Sequence, residues 1–179
     1  MTRIRPLHLA RSFARALWPG APSAEDAAWV AGILEPDELE LWRSLPSYEK
    51  RYTIRVARLV DEELAGTEFA GDERWLAAAL LHDVGKLDAG LAVVGRSVAT
   101  VVGAVAGAAR LDRWGHASGF RRRVAWYLRH DDRGADRIRA AGGRDEAARW
   151  AWAHHHRDRW AASGVPIPVA EALEAADNA

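Results

Sequence analysis

Apolar residues recur at three- and four-residue intervals along almost the whole chain, the spacing of amphipathic helices. Leu7, Leu9, Phe13, Ala14, Leu17 and Trp18 predict a first helix, ended by Pro19-Gly20. Ser23 with Asp26 resembles a capping box and opens a second, through Trp29, Val30, Ile33 and Leu34. Pro36 suits the first turn of a third, which carries Leu39, Leu41, Trp42 and Leu45. From Pro46-Ser47 a longer helix runs to about Ala65, with Tyr48, Tyr52, Val56, Val60 and Leu64 in one i, i+4 row and Gly66 just past its end. Asp72 or Gly71 opens the next, whose apolar run Ala77-Ala78-Ala79-Leu80-Leu81 ends in His82-Asp83-Val84-Gly85-Lys86; Gly85 fits as its terminator.

The segment from Leu91 to Ala109 is nearly all apolar, with Gly103 and Gly107 in a GxxxG pattern. A membrane span needs about 20 unbroken apolar residues, and Arg96-Ser97 interrupts this one, so a buried, close-packed helix or a homodimer contact is expected instead. Gly115 to Gly119 reads as a loop. Arg121-Arg122-Arg123 starts a helix that ends at His130-Asp131-Asp132, and its arginines read as a solvated face. A short helix from Gly134 to Gly143, one from Asp145 through Trp150 and Trp152 to His154-His155-His156, and a last one from Val169 to Ala176 complete the chain. No segment alternates with period two, so the fold class is all-α. Residues 1–46 are expected as an N-terminal helical extension, its tryptophans core anchors, packed on a domain spanning 47–179.

Composition and the start of the chain sharpen this at four points. The absence of cysteine excludes disulfides, thiolate metal sites and a cysteine nucleophile. Equal numbers of basic and acidic residues, 25 each, give no bulk field toward nucleic acid or a membrane surface. The start has no apolar signal-type region, and the expected location is cytoplasmic. Among the 25 basic residues only Lys50 and Lys86 are lysines, so Lys86 is read as chosen for its compact ammonium.

His82-Asp83 ends an apolar helix, where a buried carboxylate needs a compensating cation. Five of the seven histidines, His82, His130, His154, His155 and His156, lie at or near predicted helix ends, as do Asp83 and Asp177. Imidazole and carboxylate without sulfur suit Mn, Fe, Mg or Zn in a catalytic site.

Leu80-Leu81-His82-Asp83-Val84-Gly85-Lys86 resembles the signature of the HD-domain metal-dependent phosphohydrolases, an all-helical family. The resemblance extends over roughly residues 47 to 177. Leu128-Arg129-His130 with Gly134-Ala135-Asp136, the pair His155-His156 before Arg157, and Ala175-Ala176-Asp177 resemble later elements of its HD-GYP-like branch. The resemblance implies an HD-like bundle holding one or two divalent metal ions. Asp83 would bridge them, His82 and Asp177 would serve one, and His130 with two of His154, His155 and His156 the other. Lys86 would contact phosphate or assist proton transfer. The reaction implied is hydrolysis of a phosphate ester or anhydride, of nucleotide type, by a metal-activated water. Two departures stand out. Tyr52 occupies the place of a histidine ligand, and Gly164-Val165-Pro166 stands where that branch has Gly-Tyr-Pro. An alternative is therefore a degenerate HD module that binds a nucleotide or protein partner without turnover. A helical protein with a purely structural metal staple ranks third.

Overall fold

The computed structural model describes residues 20–91 and 93–179 and contains helices and turns, with no strand among them. The predicted first helix, Leu7 to Trp18, lies outside the described residues. Four helices come first: α1 (Ala24–Ile33), α2 (Pro36–Arg43), α3 (Ser47–Leu64) and α4 (Glu73–Leu81). The middle holds α5 (Lys86–Ala89), α6 (Val93–Ala106), α7 (Ala108–Gly115) and α8 (Gly119–Tyr127). The last stretch holds α9 (His130–Ala140), α10 (Asp145–Ala153), a 3-10 turn (Arg157–Arg159), α11 (Trp160–Ser163) and α12 (Ile167–Asn178).

Local chemistry sets the boundaries. Ser23 caps α1 by accepting from Asp26 N. Glu35 and Glu38 form a reciprocal capping box at α2, with Pro36 in its first turn. The Asp72 side chain accepts from Arg74 N and starts α4. Past α3, Gly66 takes φ +80°, where a side chain would be strained.

The apolar faces meet in two cores. The larger gathers α1–α4 and α9–α12 around Val60, Leu80, Leu81, Ile138, Trp150 and Leu173. Burying a side chain such as Leu80 contributes roughly 1.5–3 kcal/mol. The smaller core, Ala89, Leu91, Ala99 and Val124, joins α5–α8 and is roofed by half-buried Trp114, Trp126 and Tyr127. In the opening region Val30, Ile33, Leu41 and Trp42 join the larger core, and Trp42 Nε1 donates to Thr53 Oγ1. The fully buried Glu38 carboxylate accepts from the backbone of Arg144 at 2.8 Å, tying α2 to the start of α10.

Several expectations are corrected. Gly85 does not end a helix in a left-handed conformation; its φ is −64° and it precedes α5. It is glycine because a Cβ there would collide with the His130 carbonyl and lie 2.6 Å from Gly134 N. His130 begins a helix rather than ending one, since α8 stops at Tyr127 and the chain turns at Arg129. The Leu91–Ala109 segment is broken at Gly107, whose φ of +72° closes α6. Gly103 and Gly107 therefore do not act together: Gly103 makes room for Leu128, and Gly107 makes a bend. The last helix is longer at both ends than the apolar spacing suggested. No helix among the described residues is long and apolar enough to cross a membrane.

Candidate metal centre

The site lies where α4 runs out. Asp83 is its centre, almost fully buried between the ends of several helices. His82 Nε2 lies 3.4 Å from Asp83 Oδ2, while His130 Nε2 and His154 Nε2 lie 3.3 and 3.8 Å from Asp83 Oδ1. His82 Nε2 also faces Asp177 Oδ1 at 3.2 Å, and Lys86 Nζ donates to Asp83 Oδ2.

The three imidazoles are held in the same way. His82 Nδ1 meets the Ala79 carbonyl at 2.8 Å, His130 Nδ1 that of Tyr127 at 2.7 Å, and His154 Nδ1 that of Ala151 at 2.7 Å. A carbonyl only accepts, so each Nδ1 carries a proton; Nε2 of His130 and His154 is left to present a lone pair to the centre, while Nε2 of His82 faces the Asp83 and Asp177 carboxylates. His82 and His154 are the C-cap residues of α4 and α10, whose final carbonyls have no partner inside the helix. Those otherwise spare carbonyls become clamps that fix ring orientation, as the outer partners of metal-bound histidines do.

This produces an unusual set of buried atoms. His82 Nε2, His130 Nε2, His154 Nε2 and Asp83 Oδ1 all lack a hydrogen bond within the protein. Leaving even one such atom unpaired costs about 1–3 kcal/mol. His82 Nε2 has the Asp83 and Asp177 carboxylates beside it, but His130 Nε2, His154 Nε2 and Asp83 Oδ1 face one another. A divalent cation could serve those three together. His130, His154 and His155 offer nitrogens that lie within 4.8 Å of one another, a spacing suited to a metal ion. His155 is exposed at the rim, its ring 3.9 Å from that of His154 and 5.0 Å from that of His130.

The electrostatics agree with a donor set. Burial, reinforced by His155, pushes His154 well below the usual histidine range. Its crowded surroundings, with His130 next, bring His155 down to about 4. Both are neutral near pH 7 and able to ligate. His82 behaves differently. Burial would lower it, but the Asp83 and Asp177 carboxylates win and raise it to about 9. Burial would raise Asp83, but Lys86 and His82 hold it well below the ordinary carboxylate range.

Tyr52 and His156 occupy distinct positions. The Tyr52 hydroxyl donates to the Asp177 carboxylate and lies 2.9 Å from the Asp177 carbonyl. Burial and then the Asp177 charge lift the phenol well above its usual pKa, so it stays neutral. His156 is not in the cluster. Its Nε2 sits 2.7 Å from Asp131 Oδ2, and the side chain is 41% exposed. The triplet therefore divides, with His154 and His155 turned to the centre and His156 turned away. Sequence reasoning missed Tyr127, stacked on His130 at 5.8 Å, and the backbone clamps. A clamp leaves one trace, a histidine just beyond the last turn of an apolar helix. Compared with protein-family models, curated proteins and solved structures, the chain matches none.

Proposed function

We propose that this protein is a metal-dependent phosphohydrolase of HD-domain type, acting on a phosphate ester or anhydride of nucleotide class. One observation carries the reading: two backbone-clamped imidazoles, His130 and His154, converge with Asp83 Oδ1 as buried lone pairs without protein partners, and His155 stands within metal-ligand spacing of both. A bound divalent ion would supply Lewis acidity and a water acidified enough to act near neutral pH. The chain's own residues do the rest. Asp83 and the clamped histidines fix the ion's place. Lys86, 17% exposed and bonded to Asp83, offers a permanent ammonium beside the centre for a phosphate oxygen. His155, exposed at the rim, would meet a substrate arriving from solvent.

The test loads purified protein with Mn, Fe, Mg or Zn and assays a panel of phosphomonoesters, phosphodiesters and nucleotides. The expected result is hydrolysis by the native chain, and its loss in Asp83→Ala with helical content retained. A loaded native chain inactive across the panel would remove the enzyme reading. Tyr52 supports a second reading, a module that binds its phosphate ligand without turnover, because the phenol donates to the carboxylate of a would-be ligand. Ligand binding by an inactive native chain, with activity appearing in Tyr52→His, would favour it.

A further inference from the structure

The two oxygens of Asp83 face different partners. Oδ1 is turned to His130 and His154, at 3.3 and 3.8 Å, and has no hydrogen bond. Oδ2 accepts from the Lys86 ammonium. A carboxylate that bridges two ions commits an oxygen to each, and here one oxygen already has a cation of a different kind.

The remaining donors divide along the same line. The nitrogens of His130, His154 and His155 lie within 4.8 Å of one another and form the metal-spaced set, with Asp83 Oδ1 against two of them. On the opposite side stand His82, Asp177 and Tyr52. Asp177 Oδ1, the oxygen facing His82 at 3.2 Å, is the one that takes the Tyr52 hydrogen bond. Tyr52 comes from α3 and Asp177 from α12, two helices that pack closely, so the phenol is fixed against this carboxylate by the core. An ion between His82 and Asp177 would have to displace that hydrogen bond and meet a neutral phenol in place of a nitrogen lone pair.

We infer that the chain holds one metal ion, on Asp83 Oδ1, His130, His154 and His155, and that Tyr52 and Asp177, hydrogen-bonded to each other with His82 facing them, form a wall in place of a second. The inference rests on the reading of the site as a metal centre. In it, the Lys86 ammonium is the second positive charge next to a bound phosphate. It is permanent, whatever metal is supplied.

The experiment is metal counting on full-length protein, loaded in turn with excess Mn(II), Fe(II) or Zn(II) and then desalted. The native chain should retain about one ion. His155→Ala changes an exposed side chain and should fold; it should weaken retention at least about ten-fold. Asp177→Asn should still retain about one. Thermal melting of each variant with and without ion gives an independent readout, since an ion that binds only the folded chain raises the melting temperature. Two ions in the native chain, or loss of the single ion in Asp177→Asn, would overturn the inference and leave the phosphohydrolase reading standing. One ion without hydrolysis would do the reverse. No ion at all would remove both.

Discussion

The two cores of this molecule are built differently, and the site sits where they meet. The larger is made of big buried side chains such as Leu80, Leu81, Ile138 and Trp150. The smaller has Ala89, Leu91, Ala99 and Val124 at its centre and half-buried aromatics above. Arg122 and Arg133 lie over the Trp126 ring at 4.9 and 4.0 Å, closing that roof with charged groups instead of more apolar packing. His82 and His154 hang from helices of the larger core, and His130 starts a helix that packs along α10. The lesson is a division of labour. Ligand geometry is set by the dense core, while the lighter lobe contributes Tyr127 against His130 and Asp88 against Arg133.

The largest test of this contrast compares truncations. Leu80→Ala should cost about 4 kcal/mol, because a fully buried leucine leaves a cavity that a dense core does not close. Val124→Ala in the small core should cost about 2 kcal/mol, with a lighter roof able to settle. Urea unfolding of both variants measures this, and equal losses would erase the distinction. The two packed glycines come next. Gly85→Ala should cost about 3 kcal/mol and displace His130, since the obstacle is backbone. Gly103→Ala should cost about 1 kcal/mol, because its obstacle is the Leu128 side chain, which can change rotamer. If Gly103→Ala proves the more damaging, the small lobe is the stiffer of the two.

The pH response is a finer probe, read on metal-free protein. His82 is raised from 6.5 to about 9, so its contribution is complete below pH 6.5 and is lost as pH rises toward 9. His155 is lowered from 6.5 to about 4, so the folded chain resists its protonation and stability falls as pH drops from 6.5 toward 4. The melting temperature should therefore peak near pH 6.5 and decline on both sides. His154 is lowered as well and adds to the acid limb, so His155→Ala should make that limb shallower without abolishing it and leave the alkaline side unchanged. An acid limb unchanged in that variant would point to another group.

The all-helical class was legible because helices announce themselves through spacing and caps, as at Ser23, Asp72 and Gly66. His82, Asp83, His130, His154, His155, Lys86 and Asp177 were also legible as candidates, from residue type at expected helix ends. What spacing does not encode is which long-range neighbours meet. Gly85 looked like a stop signal because its obstacle, the His130 carbonyl, is 45 positions away. Adjacent histidines at 154, 155 and 156 look alike in sequence, and only the turn after α10 sends the third toward Asp131. The GxxxG reading failed because the pattern assumes a continuous helix, and Gly107 ends one.

That third histidine has a consequence of its own. His156 is held by Asp131, and three positions on, Arg159 Nη1 reaches Asp131 at 3.2 Å, Asp132 at 3.0 Å and the Trp152 carbonyl at 2.9 Å. Because the bonds cross to the first turn of α9, they clip the segment carrying His154 and His155 to the one carrying His130. A surface loop that had to freeze on meeting its ligand would lose affinity to that ordering. Here the freezing has already happened during folding, so the exposed His155 waits in place, and the neighbour that does not touch the centre is what keeps it there.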